Sequence, residues 1–144
     1  MLELNIKNET ATLKAVVLGT AVSNGPQPTL EEAYDPKSVQ HILRGTYPKE
    51  EDMVAEMEAV AKVLEKYNVK VFRPKVIEDY NQIFSRDIAF VIEDKLIKAN
   101  ILPDREKEYE AIKHVINQID SNKIITLPEA CHIEGGDVMP WNDY

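Results

Sequence analysis

The chain has little with which to crosslink itself. It carries one cysteine, Cys131, in 144 residues, so no internal disulfide is available and the compartment read from it is a reducing one, the cytoplasm. The opening stretch, MLELNIKNETATLK, has no apolar run of signal-peptide length. Nowhere do about 18 apolar residues follow one another, which excludes a membrane-spanning helix. Positive charge is also scarce: 17 Lys and Arg stand against 25 Asp and Glu, a net charge of −8. Clustered Lys and Arg are what neutralise phosphates, so a nucleic-acid partner is disfavoured. The negative balance serves solubility and does not by itself point to a cationic ligand. There is no Cys/His spacing of the zinc type, no calcium loop and no phosphate-cradling glycine loop, so neither a metal nor a cofactor is expected.

What is present is the composition of a globular protein, 44% hydrophobic and 29% charged, at a length that suits one domain. Ala15–Leu18 reads as a short buried strand closed by Gly19. From Gly19 to Tyr47 the chain is broken by Gly25, Pro26, Pro28, Pro36 and Gly45, a long irregular loop of the kind that forms lids or binding loops. A short helix over Leu30–Tyr34 or Ser38–Leu43 fits within it. A first helix is then expected, with Pro48 as its first residue and Glu50, Glu51 and Asp52 favouring the positive end of its dipole. Its apolar face is Val54, Met57, Val60, Ala61 and Leu64, and it ends near Tyr67–Asn68. Val69–Phe72 is a strand stopped by Arg73-Pro74. Asp87–Ile92 and Lys95–Ala99 form a hairpin about Glu93-Asp94. Pro103-Asp104 opens a second helix running to about Gln118, Ile124–Leu127 is the next strand, and a last strand-like element runs from Cys131 to Tyr144. The acidic helix starts, Glu50–Asp52 and Glu106–Glu110, read as solvated faces.

The two helices repeat each other. A shift of 55 residues carries Val54, Met57, Val60, Ala61 and Leu64 onto Tyr109, Ile112, Val115, Ile116 and Ile119, all apolar. The following strand repeats in phase. The expectation is a duplicated β–(β)–α–β unit, and one such unit alone leaves sheet surface uncovered, so that units stack or close into a ring.

Two local motifs sit next to strands. Asn81-Gln82-Ile83-Phe84-Ser85-Arg86-Asp87 precedes one, and His132-Ile133-Glu134-Gly135-Gly136-Asp137-Val138 opens another. Paired glycines let the backbone approach another chain segment or a ligand closely. On an alternating strand His132 and Glu134 share one face and Cys131 and Ile133 the other. Carboxylates gathered in a pocket suit a guanidinium, whose forked N–H donors match carboxylates two at a time.

At these residues the chain resembles the guanidino-modifying enzymes of the pentein superfamily: amidinotransferases, arginine deiminases and dimethylarginine hydrolases. FSRD (Phe84–Asp87) is similar to the family's Phe-[Ser/Thr]-Arg-Asp element, EGGD (Glu134–Asp137) to its Glu-Gly-Gly-Asp or Asp-Ala-Ala-Asp element, and Val71–Pro74 to a strand ending in Arg-Pro. The resemblance runs from about Lys14 to the C-terminus. It implies five ββαβ units in an α/β propeller, of which residues 1–144 hold about two and the start of a third, a single incomplete domain forming the N-terminal half. It further implies that Asp87 pairs with the substrate guanidinium, that Asn81 helps to hold the substrate, and that Glu134 is the acidic member of the catalytic set, with Asp137 in a structural role. In that family a cysteine thiolate attacks the guanidinium carbon and a histidine moves the protons; both are expected beyond this chain, which alone is expected to be inactive.

Cys131 lies where the family places no nucleophile, and it reads as a small buried hydrophobe. His132 reads as a residue behind the site rather than in it, and His41 and His114 as solvated. Arg86 either pairs with a neighbouring acid or touches ligand. For Asp87 and Glu134 the plainer alternative is a strand-end turn and a cap-like hydrogen bond. Three functions stay open: transfer of an amidino group from arginine or a related compound to an amine, hydrolysis of the same group, and a non-catalytic binding module on the same repeat. Transfer is favoured because Arg86–Asn100 resembles that branch most. Exposed sheet edges predict self-association of the chain.

Overall fold

The computed structural model describes residues 1–33 and 36–141. Tyr34, which ends one of the two expected short helices, and Tyr144, the expected end of the last element, lie outside them. The order of elements is β1 (Ala15–Val17), α1 (Pro36–Arg44), α2 (Glu50–Lys66), β2 (Lys70–Phe72), β3 (Ala89–Ile92), β4 (Lys95–Lys98), α3 (Glu106–Ala111), α4 (Lys113–Ile116) and β5 (Ile124–Thr126). One-turn 3₁₀ segments cover Pro103–Arg105, Ser121–Lys123 and Gly135–Asp137.

Two β–α–β units emerge, as the repeat predicts. β1 pairs parallel with β2 across α2, Val16 opposite Val71. β4 pairs parallel with β5 across α3 and α4, Leu96 opposite Ile124. The second unit adds β3, antiparallel to β4 with Phe90 opposite Ile97. The connecting turn puts Glu93 in the left-handed region at φ 51°, and a reciprocal backbone pair with Ile6 holds it there. The two sheets are separate, β1-β2 and β3-β4-β5.

The units bury their helices unequally. Ile112, Val115, Ile116 and Ile119 are all buried, and Ile112, Ile116 and Ile119 cluster with Ile88 and Leu96 in the core. In α2 only Ala61 is buried, and Val60, counted in the expected apolar face, is 46% exposed. Helix α2 begins at Glu50 rather than at Pro48, with Lys49 as an N-cap whose side chain makes no capping bond. Its first residue fastens the preceding loop to the helix: the Glu50 carboxylate accepts from the Ser23 and Asn24 amides, each at 3.1 Å. At the other end Asn68 adopts φ 59° and Val69 N–H returns to Leu64 O at 3.0 Å, a left-handed cap that turns the chain into β2.

The second helix is not continuous to Gln118. It breaks at Ile112, φ −100° and ψ 4°. The cause lies outside the helix: Lys75 N–H takes the Ala111 carbonyl at 2.9 Å, and Val115 N–H bonds to Ile112 O instead. A hydrogen bond inserted into the ladder is a recognised origin of helix breaks.

Within the expected loop, α1 forms from Pro36, close to the second of the two short helices foreseen. The stretch before β3 docks on the chain just past β1, Thr20 N–H reaching Gln82 O at 3.0 Å. The buried Gln82 side chain braces it, Oε1 accepting from Ile77 N–H at 2.7 Å and Nε2 donating to Lys75 O at 2.9 Å. Gly19 makes this possible, because a Cβ there would fall on the Gln82 and Ile83 carbonyl oxygens. No described helix is long and apolar enough to cross a membrane.

Candidate guanidinium-binding site

The two motifs are brought together by their glycines. After Phe84 the chain turns, Asp87 N–H reaching Phe84 O at 3.1 Å, and then Ile88 enters the core as one of its most buried side chains. Asp87 therefore stands in the turn before β3, not in the strand. The segment from Glu134 lies directly on this turn, with Gly135 N–H donating to Asp87 O at 3.2 Å. A Cβ on Gly135 would collide with the Arg86 carbonyl oxygen, and one on Gly136 would stand 2.8 Å from Asp87 Oδ1. Only a glycine pair allows the EGGD backbone this close an approach.

Arg86 ties the same contact from the other side. Its Nε donates to Gly135 O at 3.0 Å and its Nη2 to Val138 O at 2.6 Å, while Glu9 accepts from Nη2 at 2.9 Å. Of the two roles left open for Arg86, this geometry shows a clamp on EGGD, with an acid drawn from the N-terminal segment rather than from the motif.

Expectations for residues 131–138 need three corrections. The segment is irregular backbone followed by a 3₁₀ turn at Gly135–Asp137, not a strand, so side-chain alternation does not apply. The reason is the glycine pair itself, which seats the chain on Arg86 and Asp87 rather than beside β5. Cys131 is exposed rather than buried, because the loop carrying it is held off the core by Asn100, whose Nδ2 donates to Pro128 O at 2.8 Å and to Cys131 O at 2.9 Å. The Glu106–Glu110 stretch is not a solvated face throughout: Glu108 is 2% exposed.

Glu108 is buried to hold Arg105, a residue the sequence did not single out. Arg105 Nε donates to Glu108 Oε1 at 2.6 Å and Nη2 to Glu108 Oε2 at 3.2 Å, a forked pair. The remaining donors reach the FSRD turn, Nη2 to Phe84 O at 3.1 Å and Nη1 to Asp87 Oδ2 at 2.9 Å. Nη1 also lies 3.9 Å from Glu134 Oε1. Asp87, Glu108 and Glu134 thus converge on one guanidinium. Burial works against the Arg105 charge, but the hydrogen bonds and charges of Glu108 and Asp87 outweigh it and raise its pKa. Burial pushes the Glu108 carboxyl up, Arg105 opposes this, and the charges of Asp87 and Glu134 add to it.

Glu134 is also on the wall of a cavity of about 870 Å³, together with His132 and Asp137. Glu106, Glu110 and Glu129 line it as well, against Lys98 and Lys107. Lys98 lies over the Tyr109 ring at 4.5 Å from its centre, a cation–π contact. Five carboxylates against two lysines leave the lining net negative, which suits a cation. Asp87 lies behind the wall, under Gly136. Asn81 is not brought to the cluster: it is exposed, and its Oδ1 accepts from Ile83 N–H at 3.1 Å. The i,i+3 spacing of Arg105 and Glu108 was the one sequence signal for this pair. No described His, Cys, Asp or Glu residues gather in threes able to hold a metal ion.

No protein-family model matches the chain, and no curated protein does. Solved structures do. An amidinotransferase of the saxitoxin biosynthetic pathway from Microseira wollei matches with TM-score 0.59 at 20% identity, over 87% of this chain and 42% of its own. Inosamine-phosphate amidinotransferase from Streptomyces griseus matches with TM-score 0.58 at 17% identity, over 90% of this chain and 43% of its own. The chain spans about two-fifths of the length of these structures. It is a mixed α/β protein that shares the fold of part of these two amidinotransferase structures.

Proposed function

We propose that the chain is the guanidino-recognising N-terminal portion of an amidinotransferase-like enzyme acting on arginine or a related compound. The observation that carries the reading is the seating of EGGD on FSRD, which puts Glu134 on the wall of an acid-lined cavity with Asp87 immediately behind it. In this reading Glu134 receives the guanidinium and Asp87 supplies the second carboxylate. Arg86 holds the two segments together, and His132 and Asp137 shape the cavity mouth. Asn81 acts only through the turn it caps.

The chemistry needs two groups from outside these residues, a cysteine and a histidine. The thiolate sulfur bonds to the guanidinium carbon and the bond from that carbon to the substrate's amine breaks. The amine leaves with a proton from the histidine, and the amidino group stays on sulfur. An acceptor amine then displaces the sulfur, and its proton returns to the histidine. A hydrolase of the deiminase type would use the same thiolate attack but break the bond to a terminal nitrogen, which leaves as ammonia or an alkylamine, and water would then displace the sulfur to give the ureido product. Transfer is preferred because the solved structures that share this fold are amidinotransferases. The two β–α–β units are proposed to be neighbours in a ring of five, the chain forming its N-terminal half in a cytoplasmic protein whose sheet edges dock the other units or a second copy.

Thermal-shift titration tests the recognition step. Arginine is expected to raise the melting temperature, by about 2.7 kcal/mol of added stability at a hundredfold excess over Kd. Glu134→Gln and Asp87→Asn are each expected to remove most of the rise. No shift in the protein, with Asp87→Asn behaving as the unchanged chain does, would sink the guanidino reading.

A further inference from the structure

The guanidinium of Arg105 occupies the point where the three carboxylates meet. One positive charge stands among three negative ones, and the donors are divided unevenly. Glu108 takes the fork formed by Nε and Nη2, Asp87 Oδ2 takes Nη1, and Glu134 stays at 3.9 Å. The other oxygen of Asp87, Oδ1, faces Gly136. Asp87 Oδ2 is therefore held inside the protein by Arg105, with Oδ1 beside Gly136, whereas Glu134 lines the cavity.

We infer that Arg105, anchored by Glu108, is a positioning residue: an internal guanidinium that fixes Asp87 beneath the glycine pair, at close range to Glu134 on the cavity wall. The anchoring is what separates this from a surface ion pair. The Glu108 side chain is 3% exposed and the Arg105 side chain 19%, so the fork cannot swing into solvent. The Phe84 carbonyl accepts from the same Nη2, which binds the helix start to the backbone of the FSRD turn as well as to its carboxylate. Arg86, the other cation at the motif, points away toward Glu9 and the Gly135 and Val138 carbonyls. That leaves Arg105 as the cation that keeps Asp87 and Glu134 at close range. A lysine would supply the charge but not the fork, and so would meet one partner at a time. The purpose assigned to Arg105 rests on the guanidino reading; its geometry does not.

The test is chemical rescue read by hydrogen exchange. In Arg105→Ala, the amides of Gly135 and Asp137 are expected to exchange about tenfold faster than in the unchanged protein, with the β3–β4 amides unaffected. Millimolar methylguanidine is expected to restore most of the protection, and methylammonium at the same concentration is not. Exchange at Gly135 and Asp137 unchanged by the substitution would overturn the inference, as would equal rescue by methylammonium. If Arg105→Ala does not fold in either additive, Arg105→Lys is read at the same amides. Faster exchange there supports the fork, and unchanged exchange overturns it. Because no added arginine enters this experiment, a failure to bind arginine would end the proposed function and leave this result standing.

Discussion

Gly135→Ala is expected to lower the melting temperature by about 10 °C and to detach the EGGD turn from the FSRD turn. The added methyl group would fall on the Arg86 carbonyl oxygen and lie 3.3 Å from Phe90 Cβ. Neither neighbour can retreat cheaply. The oxygen belongs to a backbone pinned between the Arg86 clamp and buried Ile88, and Phe90 is fixed in the β3–β4 ladder. Overpacking typically costs 1–3 kcal/mol, and a clash with fixed backbone belongs at the top of that range, about 3 kcal/mol. For a chain of this size that converts to roughly 10 °C. Gly136→Ala provides the contrast. Its Cβ would meet the Asp87 carboxylate oxygen at 2.8 Å, the end of a side chain that can rotate. It is expected to cost about 1 kcal/mol or less, yet to displace Asp87 and weaken ligand binding. Thermal melts of both variants, with arginine titrations, check the pair. A Gly135→Ala protein as stable as its parent would contradict the seating of the two motifs.

Removing Arg105 while keeping Glu108 is the second large effect. Arg105→Met leaves a carboxylate buried with its fork partner gone, and breaking a buried pair from one side costs about 3 kcal/mol or more. Adding Glu108→Leu is expected to recover at least half of that, because it removes the unpaired charge. The pH dependence follows from the direction of the Glu108 shift. Its carboxyl is raised by burial with Arg105 opposing, so its pKa in the folded chain lies above the unfolded value of about 4.3. Such a group contributes stability that is complete below the unfolded pKa and is lost as pH rises through the folded one. Without Arg105 the opposing influence disappears and the folded pKa climbs further. The deficit of Arg105→Met against the parent is thus expected to be small near pH 4 and largest at neutral pH. The double variant is expected to lose that slope. Melting temperatures across this range check it, and a deficit that shrank as pH rose would contradict the assignment.

Much of the fold was legible because it is written in short-range pattern. The hairpin at Glu93-Asp94, the parallel strands after each helix, and the apolar positions of the second helix all follow from spacing alone. Helix continuity was not, because the break at Ile112 comes from Lys75, far away in sequence, capturing one carbonyl. Exposure of Val60 was equally hidden, since amphipathic spacing gives a face but not what covers it. At the site, FSRD and EGGD were visible as motifs, and the glycine pair suggested a close approach without saying to what. The Arg105–Glu108 pair escaped because an acidic helix start usually faces water. Only the fold shows that this one faces two other carboxylates. Cys131 escaped for the opposite reason: a lone cysteine is ordinarily buried, and here Asn100 holds its loop at the surface.

The most direct measurement is a calorimetric titration of the protein with arginine and, separately, with citrulline, which has nearly the same shape but an uncharged ureido end. If Glu134 and Asp87 recognise a guanidinium by forked, charge-assisted hydrogen bonds, arginine binds, citrulline gives no heat of binding, and Glu134→Gln abolishes the arginine signal. Equal binding of the two compounds, or arginine binding that survives Glu134→Gln unchanged, would contradict the account.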